Sequence, residues 1–200
     1  MAFRLVPEQY PSLHKIAKRL DPHEIGRDYV RHFIADMWTT MRDPRHPGIG
    51  LAAPQLGQEV RIITIEDTTE HQKHLTAEQL AARGRVPIPA QVLINPEYDI
   101  IDASIICFFE GCLSYQGRLR AVLRHRSIRV RAIDHNGASV AFDASDWFAR
   151  LLQHEIDHLN GITLNDTDRV IGGPWVTIPE FQAKGYLDFS SDQLRTAFNI

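Results

Sequence analysis

Residues 153–158 read Gln153-His154-Glu155-Ile156-Asp157-His158 and contain the pattern His-Glu-x-x-His. On an α-helix, residues four apart lie on the same face, one turn above the other. His154 and His158 can therefore offer two imidazole nitrogens to one metal ion. Glu155 lies beside them, where its carboxylate can take a proton from a water molecule at that metal. The stretch predicts a metal site carried by a helix.

The helix around this stretch is expected to be buried. Ser145 can cap its start, and Gly161 suits the position just after its end. Its apolar residues lie on more than one side of the helix, and they are Trp147, Phe148, Leu151, Leu152, Ile156 and Leu159. Polar side chains on a buried helix need partners. We therefore expect the histidines and carboxylates of residues 154–158 to be paired.

The pattern alone also fits two histidines on a solvated helix. The chain has ten histidines, and its composition produces such a pattern by chance in roughly one chain in forty. A catalytic metal site needs a third protein ligand and one open position. Two residues are candidates: Glu180, downstream, would give a metalloprotease-like ligand set, and Cys112, upstream, would give a thiolate set.

Length and composition limit the number of domains and the classes of partner that this chain can have. The chain has 200 residues and a net charge of −3, which suits one domain and excludes a nucleic-acid polycation. It has no apolar stretch of about 18 residues, so no membrane partner is expected. The first seven residues lack the apolar core of a signal peptide, so a cytoplasmic location is expected. In that compartment the two cysteines, Cys107 and Cys112, are expected to stay reduced.

Strands are predicted on both sides of a charged segment. β-Branched or alternating residues indicate strands at 60–65, 92–94, 98–109, 122–133 and 139–142, and Asn136-Gly137 is typical of a hairpin turn. Within 122–133, Ile128 and Val130 alternate with Arg129 and Arg131. We name residues 66–90 the 66–90 segment and expect it to be an insertion with a short helix at 76–83.

Helices are predicted near both ends of the chain. Asp21 and Pro22 suggest the start of an amphipathic helix of about five turns that ends before Asp43. Residues after Asn165 are expected to be mostly loop, because they include Gly172, Gly173 and Pro174, with a short helix at 191–198. The expected fold is therefore α+β. Antiparallel strands surround a buried helix, an N-terminal helix packs outside, and residues 166–200 form a variable tail of the single 1–200 domain.

Three stretches, taken together, give the chain a family resemblance. They are Gly48-Ile49-Gly50-Leu51-Ala52-Ala53-Pro54-Gln55, then Glu110-Gly111-Cys112-Leu113-Ser114, then residues 153–158. In this order they resemble the three motifs of the peptide deformylases, and the resemblance extends from about residue 5 to 165. It implies a metal-dependent hydrolase that removes the N-formyl group from the N-terminal methionine of newly synthesised polypeptides and releases formate.

The resemblance also implies roles for single residues. The residues matching the metal ligands are Cys112, His154 and His158. Glu155 matches the catalytic carboxylate. Gln55 and the backbone N–H of Leu113 match the donors that stabilise an oxyanion, and Gly50 matches the residue that lines the substrate. The implied cofactor is one divalent metal ion, with Fe(II) expected and zinc, nickel or cobalt able to substitute.

Other site residues are predicted on weaker grounds. Glu110 and Asp157 are acidic neighbours of the ligands that can orient them, and Arg124 can pair with either. Candidates for the substrate pocket are Ile49, Gly111, Trp147 and Leu151. After Ser114 the chain departs from the family pattern with Tyr115-Gln116-Gly117. Either Arg118 or Arg120 therefore remains a candidate for holding the substrate backbone.

Three functions follow from these observations. The first is the deformylase, with nascent formylmethionyl peptides as substrate, the ribosome as a further partner and no sequence-specific nucleic-acid binding. The second is an endopeptidase that uses Glu180 as its third ligand. The third is an inactive binding protein with the same fold, whose sign would be a broken motif, and no motif is broken.

Overall fold

The computed structural model describes residues 3–166 and 170–200. Its strands are β1 (Gly50–Ala52), β2 (Ile62–Asp67), β3 (Ile88–Glu110), β4 (Arg118–Ile133), β5 (Ser139–Ser145) and β6 (Gly172–Thr177). Its helices are α1 (Asp28–Met41), α2 (Thr69–Gln72), α3 (Ala77–Ala82), α4 (Asp146–Leu159), α5 (Ile178–Ala183) and α6 (Ser191–Phe198). None of these helices has the length and hydropathy that a bilayer crossing requires.

The strands form one antiparallel sheet in the order β1-β2-β3-β4-β5, and β6 pairs with the first half of β4. β1 is therefore a terminal strand of the sheet. β3 and β4 are long, and their pairing runs from Ile94 opposite Ile133 to Glu110 opposite Arg120. The loop between these two strands lies next to α4 and contains Cys112.

Helices cover the two faces of the sheet. Successive strand residues point to opposite faces, so Ile63 packs with Leu152 and Ile156 of α4, whereas Ile62 packs with Met37 of α1. The helix α4 is buried along almost its whole length, including His154, Glu155 and His158. The mixed class with antiparallel strands is thus confirmed, and the N-terminal helix lies on the opposite face from α4.

The predicted start of the N-terminal helix was wrong. Pro22–Glu24 form only a single 3₁₀ turn, with the Asp21 side chain accepting a hydrogen bond from the His23 N–H. Ile25 is extended and Gly26 has a φ of +89°, so the chain changes direction before α1 begins at Asp28. The local capping signal is real, but it caps one turn and not the 14-residue helix that follows.

The prediction that the tail is mostly loop was also wrong for the described residues after 166. β6, α5 and α6 occupy it, and the helix predicted at 191–198 is confirmed. Gly173 is required by packing, because a Cβ there would lie 2.8 Å from Cγ of Phe198 in α6. Residues 167–169 of the predicted tail lie outside the described part of the chain.

Several local predictions agree with the structure. α3 begins with the capping box of Thr76 and Gln79. Gly161 follows α4 with a φ of +67°, as a helix C-terminus favours. Ser145 occupies the N-cap position of α4, but its side chain bonds the Ser127 hydroxyl and makes no cap hydrogen bond. The two strands predicted at 92–94 and 98–109 are parts of the single strand β3.

Candidate active site

Cys112, His154 and His158 form a group that can hold a metal ion. One ligand atom from each lies within 4.8 Å of the others, and Cys112 Sγ is 3.3 Å from His158 Nε2. This is the only such group in the described residues of the chain. Three side-chain ligands leave a position open for water or substrate, which is the arrangement of catalytic sites.

The helix and the β3–β4 loop bring the three residues together. His154 and His158 are one turn apart on α4, and their rings meet edge to face at 5.0 Å. Cys112 lies two residues after β3 ends at Glu110. Because β3 and β4 pair up to Glu110 and Arg120, the position of the loop is fixed by a regular strand ladder.

The polar atoms around this group fit a metal. His154 Nδ1 lies 2.9 Å from a carboxylate oxygen of Glu110, which leaves Nε2 of the same ring available as a ligand. Glu155 Oε2 and His158 Nδ1 are buried without a hydrogen-bond partner among the described residues. One thiolate and two imidazoles suit a divalent transition metal and leave its identity open.

A buried charge cluster supports the His154 side of the site. Glu110 accepts two hydrogen bonds from Arg124, both at 2.9 Å, and one from Arg150 at 2.6 Å. Arg124 also bonds Asp157. Burial raises the pKa of the Glu110 carboxyl, but Arg124, His154 and Arg150 outweigh it and hold that pKa well below its usual range. Glu110 is thus a carboxylate that faces His154.

The two histidines of this group have pKa shifts of opposite direction. Burial lowers the pKa of His154, but hydrogen bonds to Cys112 and Glu110 outweigh it and place the pKa well above its usual value. Burial holds the pKa of His158 well below its usual value, and the charge of His154 adds to this effect. A neutral imidazole is the form that ligates a metal, and the shift at His158 favours that form, whereas the shift at His154 favours the protonated form.

Glu155 lies beside the metal-binding group, and the pKa of its carboxyl is raised. Burial raises the pKa of its carboxyl to about 7, against the opposing charge of His154. A group that titrates near neutral pH can both accept and return a proton. Its position is tight, because a Cβ at Gly50 would lie 2.7 Å from Cδ of Glu155 and 2.9 Å from Cδ1 of Leu151. Only glycine lets β1 approach the carboxylate so closely.

Gln55 is a buried residue in the 3₁₀ turn Ala53–Leu56 that follows β1. Its Oε1 accepts a hydrogen bond from the Ala52 N–H at 2.9 Å, which fixes the orientation of the amide. Its Nε2 donates to Ser114 Oγ at 3.2 Å and to Cys112 Sγ at 3.4 Å. The amide N–H groups of Gln55 therefore point at the site.

These groups surround one cavity of about 410 Å³. Each residue predicted for the substrate contacts lines it, namely Ile49, Gly50, Gly111, Trp147 and Leu151, and so do the two predicted oxyanion donors, Gln55 and Leu113. Cys112 and His154 of the metal-binding group and the carboxylates Glu110 and Glu155 lie on its wall as well. Motifs far apart in the sequence thus converge on one space, whereas Asp157 and Arg124 lie behind it and contact the site through Glu110.

The structure separates the two arginines that the sequence left open. Arg118 lines the cavity, with its guanidinium carbon 5.1 Å from the ring centre of Trp175 and its Nη2 2.7 Å from Glu8. Arg120 is buried and donates to the carbonyls of Gly173 and Gly172 at 2.8 and 3.3 Å, and to that of Leu164. Arg118 is thus the one of the two that faces the cavity.

Glu180 lies apart from the metal group. It is an exposed residue of α5, and the metal-binding group contains Cys112 in its place. The geometry therefore does not support an endopeptidase site with Glu180 as the third ligand.

Arg150 is a site residue that the sequence analysis missed. It is fully buried on α4, one turn before His154, and its guanidinium bonds Glu110 together with the carbonyls of Ile106, Phe108 and Val122. Its spacing of four from His154 on a buried helix was the available signal. The residue type argues against placing Arg150 in the site, because arginine is rarely buried unless it is paired. Its partner Glu110 is distant in sequence, so the pairing could not be predicted.

A buried helix with two histidines and a carboxylate, facing a cysteine on a strand loop, is the construction of a mononuclear metallohydrolase. The chain belongs to the polypeptide deformylase family, whose model matches residues 3–170. Residues 171–200, with β6, α5 and α6, lie beyond that match.

Individual relatives agree with this assignment. The peptide deformylase 1A, chloroplastic/mitochondrial, of Arabidopsis thaliana is 42% identical over 151 residues, which are 76% of this chain and 55% of that protein. A peptide deformylase of Teredinibacter turnerae is 36% identical over 149 residues, 74% of this chain and 76% of that protein. The chain therefore matches about half the length of the plant relative and about three quarters of the bacterial one.

A solved structure shows the same fold. The crystal structure of a peptide deformylase from Synechococcus elongatus, in complex with actinonin, has a TM-score of 0.68 to this chain at 31% identity. The match covers 92% of this chain and 88% of that chain.

Proposed function

We propose that the protein is a metal-dependent hydrolase that removes the formyl group from the N-terminal formylmethionine of newly synthesised polypeptides and releases formate. The observation that carries this proposal is that Cys112, His154, Glu155 and Gln55 line one cavity, with His158 completing the metal-binding group behind its wall. Membership of the deformylase family supports the reaction type.

Cys112, His154 and His158 would hold the metal, with Glu110 orienting the ring of His154. A divalent ion in such a site supplies a Lewis acid and lowers the pKa of water. We propose Fe(II) as the ion in the cell, on the basis of the family resemblance, with zinc, nickel or cobalt able to substitute. The donor set of one thiolate and two imidazoles supports any of these ions.

Glu155 would act as the general base and then as the general acid of the reaction. Hydrolysis of the formamide requires that a water molecule lose a proton and that the leaving amine gain one. Glu155 lines the cavity beside the ligand group, and its pKa of about 7 suits a group that accepts the first proton and delivers the second. Its Oε2 has no hydrogen-bond partner among the described residues.

Gln55 and Leu113 would stabilise the negative charge that develops on the formyl oxygen. Preorganised donors aimed at such an oxygen lower the barrier to amide hydrolysis. The Gln55 amide is already fixed by Ala52 and faces Cys112. The backbone N–H of Leu113 comes from the residue next to the ligand Cys112, and Leu113 lines the same cavity.

The peptide would bind as an extended strand beside β1. β1 is a terminal strand of the sheet, and Gly48, Ile49 and Gly50 line the cavity. An exposed strand edge can pair with an extended peptide through main-chain hydrogen bonds. The methionine side chain would then enter the pocket of Ile49, Trp147 and Leu151, and Arg118 would hold the substrate backbone farther along the cavity.

The test is formate release from formyl-Met-Ala-Ser by the protein loaded with Fe(II) under anaerobic conditions. Glu155→Gln should retain the metal and lower kcat by about 10²- to 10⁴-fold, because general acid–base catalysis contributes factors of that size. Cys112→Ala should lose both metal and activity. The matched control is Glu180→Gln, which should release formate at the rate of the unmodified protein.

Two outcomes would contradict the proposal. No formate with Fe(II), zinc, nickel or cobalt would exclude the reaction. Activity that survives Cys112→Ala but is lost in Glu180→Gln would indicate the endopeptidase ligand set in its place.

Three wider parts of the proposal rest on less direct support. A single domain of residues 1–200 is supported by β6, which pairs with β4, and by α6, which packs near Cys107 of β3. We also propose a cytoplasmic location and contact with the ribosome. Cell fractionation and co-sedimentation with ribosomes test these two predictions.

A further inference from the structure

Trp147 forms part of the cavity wall but belongs to none of the three motifs. It lies in the first turn of α4 and is one turn before Leu151, which lines the same cavity. An indole is wide, so a small rotation of its plane changes the space left for a ligand side chain. The groups that hold the indole in place therefore matter for what the cavity accepts.

The indole of Trp147 is held at both its edge and its face by the 66–90 segment. Its Nε1–H donates to Asp67 Oδ2 at 3.1 Å. Asp67 is fully buried, and it accepts two hydrogen bonds from Arg85, at 2.7 and 3.0 Å. The guanidinium carbon of Arg85 lies 4.5 Å from the centre of the Trp147 ring system. One ion pair thus supplies both an acceptor for the N–H and a cation on the ring face.

The backbone of the same segment also contacts the start of α4. The Trp147 N–H donates to the carbonyl oxygen of Arg83 at 3.1 Å. A Cβ on the neighbouring Gly84 would lie 2.6 Å from Cβ of Asp146. Main chain and side chains of residues 83–85 are therefore packed directly against the turn that carries Trp147.

We infer that Asp67 and Arg85 are positioning residues that fix the Trp147 indole and thereby select the side chain of the formylated residue. This inference rests on the proposed function and deepens it. The preferred ligand is an N-formyl amino acid with a long, unbranched apolar side chain, which passes between the indole and Leu151. A side chain of one methyl group, as in alanine, would not reach the indole and would be insensitive to its position.

The experiment compares formyl-Met-Ala-Ser with formyl-Ala-Ala-Ser as substrates of the Fe(II)-loaded protein. Asp67→Asn and Trp147→Phe should each lower the ratio of their kcat/KM values by about tenfold, the factor that corresponds to ~1.4 kcal/mol. Asp67→Asn should change kcat/KM for the alanine peptide by less than about twofold, since Asp67 contacts none of the catalytic groups. The matched control is Glu70→Gln, an exposed carboxylate of the same segment that pairs with Lys73.

The double variant shows whether Asp67 acts through Trp147. If it does, Asp67→Asn should have no further effect on the ratio in the Trp147→Phe background, because the donor is already gone. Additive losses, or equal losses for both peptides, would overturn the inference. No turnover of either peptide by the unmodified protein would instead overturn the proposed function, so the two failures can be told apart.

A second measurement does not depend on activity. Fluorescence of Trp147 can be isolated in the background Trp38→Phe, Trp175→Phe. Asp67→Asn should shift its emission to longer wavelength and increase its quenching by iodide, since the freed indole gains contact with water. Unchanged emission in a folded Asp67→Asn protein would overturn the inference.

Discussion

The two halves of β4 carry arginines in very different surroundings. In the first half, Arg124 binds Glu110 with two hydrogen bonds, and only 7% of its side chain is exposed. In the second half, Arg129 binds Asp143 in the same two-pronged way, at 2.7 and 2.8 Å, with 55% of its side chain exposed. The two-pronged geometry of the two pairs is alike, but the first pair is buried and has further charged partners, whereas the second is exposed to solvent.

The position along β4 decides the role of each arginine. Even-numbered residues such as Ile128 and Val130 face α4, and Arg120 and Arg124 share that face. Arg129 faces the opposite side. A charge pair in water is weak, whereas a buried pair leaves an uncompensated charge when one partner is lost. The same residue type therefore supports the candidate site in one half of β4 and only covers the surface in the other.

Arg124→Met should have the largest effect. It leaves Asp157 without its arginine and removes two of the hydrogen bonds to Glu110. Breaking a buried ion pair from one side costs about 3–5 kcal/mol, so the free energy of unfolding should fall by that amount. Metal retention should fall too, because Glu110 orients His154. Urea unfolding and metal analysis measure both, and unchanged values would remove Arg124 from the support of the site.

Arg118→Ala should have an intermediate effect. Arg118 lies on the same face of β4 at the cavity and retains 41% exposure of its side chain. Its loss should raise KM for formyl-Met-Ala-Ser about five- to tenfold and leave kcat within about twofold, as expected for a contact made equally in the ground and transition states. Arg131→Ala, on the outer face, is the matched control. A fall in kcat alone would instead place Arg118 in the chemical step.

Arg129→Met should have the smallest effect. The change is identical to that at Arg124, but the residue is exposed and its pair is screened by water and salt. The urea midpoint, metal content and formate release should all remain within error of the unmodified protein. A loss comparable to that of Arg124→Met would show that the register of β4, and not burial, controls these pairs.

The alternation of residues in β4 shows how much of the fold could be predicted from the sequence. Ile128 and Val130 against Arg129 and Arg131 predicted the strand and its faces correctly. Extending the same period of two back to Arg124 places that arginine inside. The sequence analysis did name Arg124 as a partner of Glu110 or Asp157, although arginine is seldom buried unless it is paired. The compensating carboxylates, Glu110 and Asp157, lie 14 and 33 residues away, and only folding brings them together.

The ends of the chain show a second limit. The prediction of α1 began too early because a cap and a proline specify one turn, whereas the length of a helix depends on what its apolar stripe packs against. In the tail, glycines suggested loops, but Gly173 serves close packing against α6. A cap or a glycine is therefore a local indication of a turn. Whether a helix, a loop or a close packing contact results depends on the neighbouring helix or strand.

By itself, the sequence identified the family and the candidate reactive groups. His154, Glu155 and His158 are fixed on one helix face by a spacing of four, and the three ordered motifs supplied Cys112 and Gln55, so the helix and its chemistry could be predicted from local order. The sequence also suggested that Arg124 pairs with Glu110 or Asp157, but only the tertiary structure showed that it binds both and that Arg150 and Asp67 have supporting contacts. Arg150, Arg124 and Asp67 act through partners distant in sequence, and whether a buried charge is compensated depends on distances in space, which spacing along a chain does not encode.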